Sequence, residues 1–375
     1  MTGARLLVAI GVLMAVTPPA AAAAVRQCAV PAGVYRDAAG WAQRLTDPAR
    51  IWPLTNGAGA LVAVLGTGVD AGNTQFARGQ VVAGSDGDDC DGRGTFAAGI
   101  VAARPNPSTT FTGMAPGASV LADRYTATMT DSGNDGPDPN ALASAIDRAA
   151  DVGARVVLVV VPAWRDSPAL DTAVREAVAR GVVVVSPATA GQPGFRSYPT
   201  SLPGVVGVGA HDRNGAPVQV ESGDYVALAA PGEGLVSTSA GAGGRPGHRW
   251  GVKDPAFAAA YVAGAVTLMR AYRPELSPAQ VLSRLTATAN RPPGGGHDPR
   301  LGWGVLDVPA AVSAELPSMS TRATPPRTVA PAAAPVAPVP HSRLPGALAL
   351  LGLVAAVLAA VTATVVTQAR KGTGR

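Results

Sequence analysis

The sequence predicts an α/β fold: a mostly parallel sheet with helices on both faces. Three observations carry this. Short Val-rich apolar runs recur along the chain, helical periodicity lies between several of them, and the two alternate at a spacing that suits strand–helix–strand crossovers. The runs are residues 61–65, 120–125, 156–161, 182–185, 205–209 and 226–229. They are nearly continuous rather than alternately apolar and polar, as strands covered on both faces require. With 375 residues and 47% hydrophobic content, the chain has ample material for a large core of Ala, Val and Leu.

At the N-terminus, Arg5 precedes an apolar run, Leu6 to Val16, and the small residues Ala20 to Ala24. This is the make-up of an export signal, residues 1–24. The run is shorter than the roughly 20 residues a membrane-spanning helix needs. Residues 25–56 read as an N-terminal extension carrying Cys28, and residues 57–312 as the main domain. Within it Leu142, Ile146, Ala149 and Ala150 recur at helical spacing, as do Leu170, Ala173, Val174, Ala177 and Val178. The stretch from Phe257 to Tyr272 is apolar nearly all round and predicts a buried helix, stopped by Pro274. Ser277 then reads as an N-cap with Pro278 at the first helical position, opening a helix toward Ala289. Residues 313–345 are Pro, Ala, Thr and Val with little pattern, an extended tether. Residues 346–367 contain the uncharged stretch Ala347 to Val366, long enough to span a bilayer, and Arg370, Lys371 and Arg375 follow in the tail 368–375. That pattern predicts a single-pass protein in the cell membrane, its main domain outside and its C-terminus in the cytoplasm.

The formal charge is +5, and no basic stripe interleaves with aromatics, so nucleic acid is not an expected partner. Two cysteines, Cys28 and Cys90, are too few for a metal site; in an exported chain an even pair favours a disulfide over two free thiols. Such a bond would close a loop of about 60 residues, worth roughly 3–4 kcal/mol in the chain-entropy model. The loop carboxylates Asp70, Asp88, Asp89 and Asp91 read as solvated rather than as a cation site, and no cofactor is expected. His211 reads as a surface residue after a strand, His248 and His297 as loop residues, and His341 falls in the tether.

Several segments resemble the blocks of the subtilisin-like serine proteases, and of the mycosins among them. Leu61-Val62-Ala63-Val64-Leu65-Gly66-Thr67-Gly68-Val69-Asp70 is similar to the block that carries the family's catalytic Asp, with Gly66 at its position. Asp91-Gly92-Arg93-Gly94-Thr95-Phe96-Ala97-Ala98-Gly99 resembles D-x-H-G-T-x-V-A-G with Arg93 in place of His. Ala256-Phe257-Ala258-Ala259-Ala260-Tyr261-Val262-Ala263-Gly264 resembles G-T-S-F-A-A-P-Y-V-A-G with Ala256 in place of the nucleophile. Phe111-Thr112-Gly113-Met114-Ala115-Pro116, Tyr198-Pro199 and Gly302-Trp303-Gly304-Val305-Leu306-Asp307 add to the likeness, which runs from Cys28 to Val312. The signal peptide, Pro-rich tether and terminal anchor match the mycosin layout, and Cys90 stands where mycosins place a cysteine paired to the N-terminal extension.

The resemblance implies a subtilisin-like sheet, a Cys28–Cys90 disulfide, and a place among type VII secretion membrane components. It also implies a triad in which Asp orients His, His takes a proton from Ser, and Ser attacks. Gly66, Arg93 and Ala256 supply none of these, so the sequence reads as a catalytically degenerate pseudoprotease. Gln192 is the candidate for the oxyanion amide in the loop after residues 182–185, and Val160-Val161-Pro162-Ala163-Trp164 replaces the usual substrate-binding edge. Two other readings compete with a membrane-anchored scaffold: a non-cleaving peptide-binding module, and an active subtilisin-like endopeptidase.

Overall fold

Val62 and Val64 of β1 (Leu61–Gly66) face one hydrophobic core, and Ala63 and Leu65 face another. A strand at the middle of an α/β sandwich has no solvent side, which is why these positions read as one apolar run. The computed structural model describes residues 27–84, 88–129, 136–190, 192–292, 294–316 and 356–364. In it β1 pairs in parallel with β3 (Ser119–Arg124) on one side and with β4 (Val156–Val159) on the other. β2 (Val81–Ala83) extends the sheet beyond β3; β5 (Val183–Pro187), β6 (Val206–His211) and β7 (Val226–Pro231) extend it beyond β4. The sheet has 7 strands in the order β2-β3-β1-β4-β5-β6-β7, and every pairing is parallel.

The helices divide between the faces as the strand alternation requires. α3 (Pro139–Asp151) and α4 (Pro168–Ala179) cover the face of Ala63 and Leu65. Both begin with a side-chain cap followed by Pro: Asp138 accepts from Asn140 N–H, and Ser167 from Leu170 N–H. α2 (Arg93–Ala102) and α5 (Ala258–Tyr272) cover the other face with Phe96, Ile100, Val262, Val266 and Met269. α5 is buried from Ala258 to Arg270, and a Cβ on its Gly264 would lie 2.5 Å from that of Met114, so the residue is small because the chains touch. α6 (Pro278–Thr288) starts in a capping box between Ser277 and Gln280, as its sequence predicts, and α7 (Val308–Ser313) closes the domain.

β2 and the antiparallel ribbon of β8 (Leu235–Thr238) and β9 (His248–Val252) have no counterpart in the sequence-based strands. β2 is 3 residues long and largely exposed, and β9 reads His-Arg-Trp-Gly-Val, with its middle exposed. The apolar run of β2 is only Val81-Val82-Ala83, too short to stand out, and β9 carries none. The ribbon sits on α2 through Ser237 Oγ, which donates to Phe96 O, and Thr238 Oγ1, which donates to Thr95 O.

The extension is part of the domain. Cys28 is bonded to Cys90, with Cα atoms 4.3 Å apart, and Ala29 N–H donates to Cys90 O at 2.7 Å. Further on, Gly33 bridges His248 of β9, and in α1 (Trp41–Thr46) the indole N–H of Trp41 donates to Glu233 O. Residues 1–24 and most of 346–367, expected to be signal and anchor, lie outside the described residues; residues 356–364 include a helical stretch. No helix among the described residues is long and apolar enough to cross a membrane.

Replacing Cys28 and Cys90 together by Ser should lower the unfolding free energy in urea by about 3 kcal/mol. Limited proteolysis should then cut residues 27–40 first, since the extension loses its covalent tie.

Candidate functional site

In parallel sheets the crevice outside the carboxyl ends of the strands is where sites form. Here that edge is organised by Asp89, a buried carboxylate. Its Oδ1 accepts from Thr67 Oγ1 at 2.7 Å and from Gly92 N–H at 2.8 Å. Its Oδ2 accepts from the N–H and the hydroxyl of Thr95, both at 2.7 Å. A carboxylate at the head of α2 satisfies N–H groups that the helix leaves unpaired and opposes the positive end of its dipole. Thr67 Oγ1 also accepts from Gly94 N–H at 3.0 Å, which locks the loop after β1 onto the first turn of α2. A Cβ on Gly94 would lie 1.8 Å from the Gly68 carbonyl oxygen, so only glycine fits. Asp70 is likewise engaged: Oδ1 accepts from Gly72 N–H and Oδ2 from Gly241 N–H. The reading of these carboxylates as solvated therefore fails for Asp89. Among the described residues no group of three or more His, Cys, Asp or Glu is placed to hold a metal ion.

Gly66, Arg93 and Ala256 are drawn to this edge through their neighbours. Gly66 ends β1 and is joined to Thr67, which bonds the residue after Arg93. Arg93 opens α2, and its Nη1 donates to Asp254 Oδ2, two residues before Ala256. The two side chains are each 18% exposed, and Asp91 lies 3.6 Å from Arg93 Nε on the other flank. Asp254 also caps the 3-10 turn Pro255–Phe257, accepting from Ala256 N–H at 3.0 Å. The guanidinium lies over the Phe257 ring at 5.7 Å, and Phe257 packs on Phe96 with ring centroids 4.4 Å apart. An ion pair backed by an aromatic layer thus fills the space between the starts of α2 and α5. The Ala256 methyl is buried beside it, and a Cβ on Gly66 would meet Val160 Cβ at 3.2 Å.

Sequence reasoning passed over Asp254. Its signal was present, since Asp254-Pro255 is the N-cap and first-position pattern of a helical start. Glu221 was also passed over: fully buried, it accepts from Ala190 N–H at 2.6 Å, Ser197 N–H at 2.8 Å, Ser197 Oγ at 2.7 Å and Tyr225 OH at 2.8 Å. It pins the loop after β5, in which Gln192 is exposed and Ala190 buried.

The chain just beyond β4, beside this site, is partly paired within the domain. Val160 N–H donates to Leu65 O, and the Tyr125 hydroxyl donates to Val161 O. Pro162 has no N–H, and both backbone groups of Ala163 pair with Tyr198, at 2.8 and 2.9 Å.

The histidines stand elsewhere. His211 is the last residue of β6 and only 2% exposed, not on the surface; burial lowers its pKa. His297 Nε2 contacts Val226 O at 2.8 Å. His248 is no loop residue: it opens β9, fully buried, with Nδ1 accepting from Tyr35 N–H and Nε2 paired to Gln75 Oε1. Burial depresses its pKa to about 4.

A parallel sheet of this order, with the starts of α2 and α5 meeting at its carboxyl edge, defines a subtilisin-like α/β protein. The profile of the subtilase family, peptidase S8, matches residues 57–304. Mycosin-1 of Mycolicibacterium smegmatis is 35% identical over 315 residues, covering 70% of this chain and 70% of its own. Mycosin-4 of Mycobacterium tuberculosis is 34% identical over 348 residues, covering 81% and 74%. The crystal structure of MycP1 from the ESX-1 type VII secretion system superposes with a TM-score of 0.69 at 29% identity, over 77% of this chain and 90% of that one. The periplasmic assembly from the ESX-5 inner membrane complex contains a chain with a TM-score of 0.65 at 26% identity, over 84% and 94%. The chain belongs to the subtilase family and, within it, to the mycosins.

Two outcomes follow from this geometry. Asp89→Asn turns one acceptor into a donor facing the Thr95 or Thr67 donors, and should cost about 3 kcal/mol or more in chemical denaturation. For His248, the unfolded chain takes up a proton near pH 6.5 that the folded protein refuses until about pH 4. Stability should therefore fall as pH drops through that window, by up to about 3 kcal/mol at its lower end. Urea titrations at pH 7 and pH 4.5 should show a smaller difference for His248→Gln than for the wild type.

Proposed function

We propose that this chain is a mycosin-like pseudoprotease that serves as a membrane-anchored scaffold or accessory component of a type VII secretion system. The observation that carries the reading is the Arg93–Asp254 ion pair lying beside Ala256. A methyl group cannot attack a carbonyl, and a guanidinium stays protonated at any physiological pH, so the position offers neither nucleophile nor base. Gly66 has no side chain to orient a base if one were present. Losing a single triad member costs on the order of 10⁴–10⁶ in rate, and here all three positions are changed.

The paired backbone beyond β4 argues against the peptide-binding alternative. An extended peptide adds to a sheet edge through free backbone groups. The Val161 carbonyl is already taken by Tyr125 and both backbone groups of Ala163 by Tyr198, and Pro162 offers no donor. Support for the partner class comes from the likeness to chains of the ESX-5 inner membrane complex. The apolar stretch Ala347 to Val366 supports anchoring with the domain on the extracytoplasmic side.

A fluorophosphonate serine-hydrolase probe should leave the purified ectodomain unlabelled; labelling that disappears when a nearby serine is replaced would sink the proposal. Gly66→Asp, Arg93→His and Ala256→Ser combined should still cleave peptides at least about a thousandfold more slowly than an intact relative, because the backbone beyond β4 stays paired and any side chain introduced at Gly66 presses on Val160. Affinity purification of the full-length chain from native membranes should recover secretion-machine components, and deletion of residues 57–312 should abolish the recovery.

A further inference from the structure

We infer that a second crevice, at the amino ends of β2 and β3 and so at the opposite end of the sheet from the three vestigial positions, is a docking groove for an extended acidic segment of a partner protein. It is a cavity of about 500 Å³ lined by Trp52, Asn56, Arg78, Arg104, Pro105 and Pro116, among others, and no carboxylate lines it. Arg78 and Arg104 are both exposed. Many of the described cations are neutralised: Arg93 by Asp254, Arg148 by Asp123, Arg180 by Asp151, Arg273 by Glu315 and Lys253 by Glu233. Among the described residues Arg78 and Arg104 make no ion pair, yet they open into one cavity. Two guanidinium forks facing a shared space without a counter-charge are suited to carboxylates, which they can grip bidentately.

The groove is built rather than incidental. Its floor is the buried side chain of Gln80, whose Nε2 donates to the carbonyls of Ala102, Pro116 and Ala118 while Oε1 accepts from Ala77 N–H. Those four bonds fix the strands of chain on which Arg78 and Arg104 stand, and Arg104 N–H is itself held by Gln75 O at 2.8 Å. The Trp52 indole N–H donates to Met114 O at 3.0 Å, which orients the ring and leaves only apolar surface for a ligand. With Pro105 and Pro116, that surface suits the aliphatic stems and backbone of a Glu-rich chain. A free phosphate would use the guanidiniums and none of the walls, so the walls favour the peptide.

The test uses the disulfide-bonded ectodomain and a fluorescein-labelled hexaglutamate peptide, followed by anisotropy. Binding should be saturable and should weaken as salt rises. Arg78→Glu with Arg104→Glu should weaken it at least tenfold, and Trp52→Ala severalfold. Arg213→Glu with Arg249→Glu, the same charge change at exposed positions outside the groove, should leave it within twofold; equal losses in both pairs would reduce the effect to net charge and overturn the proposal. Absence of saturable binding would overturn it as well. So would full competition by equimolar inorganic phosphate, or binding only to phosphatidylglycerol vesicles, which would assign the groove to a compact anion or to a lipid surface.

Discussion

The carboxyl edge of this sheet depends on Asp89. One buried carboxylate ties the loop after β1, the head of α2 and the chain beside the disulfide into a single rigid corner. A buried charge survives only when its oxygens are fully bonded, and the four donors around Asp89 meet that demand. Once the corner is set, Arg93 has one direction to go. It crosses to Asp254 and fastens the start of α2 to the start of α5, the two helices that cover one face of the sheet.

Under the proposed reading, that arrangement explains how a protease-like scaffold accommodates Gly66, Arg93 and Ala256. A cleft stripped of its Asp, His and Ser would leave a wet hollow at the carboxyl edge between two buried helices. Here the guanidinium and its aromatic backing on Phe257 and Phe96 occupy the space. The chain beyond β4 follows the same logic, with Tyr125 and Tyr198 occupying backbone groups that an incoming chain would otherwise use. In the proposed pseudoprotease reading, side chains and backbone together leave this part of the surface satisfied by itself.

The central strands were legible because strands buried on both faces leave an unmistakable run of Val and Ala, and α6 because Ser277-Pro278 and Gln280 form a capping box. β2 and the β8–β9 ribbon were not, since short or half-exposed strands owe their existence to neighbours rather than to their own composition. At the site, Gly66, Arg93 and Ala256 were picked out by the three blocks, and the structure places them at one edge of the sheet. The partner of Arg93 could not be read there: Asp254 is over 160 residues away, and nothing local says that the two meet. Asp89 looked like any loop carboxylate because burial is a tertiary property. The burial of His248 was hidden for the same reason, its partners Tyr35 and Gln75 being distant in sequence.

The central claim is that Arg93 and Asp254 act as a structural clamp between the starts of α2 and α5. A double-mutant cycle with Arg93→Ala and Asp254→Ala, read by chemical denaturation at low and high salt, measures this directly. The account expects a coupling energy of about 1–3 kcal/mol that persists in salt, as for a largely desolvated, hydrogen-bonded pair. Additive effects, with no coupling between the two positions, would contradict it.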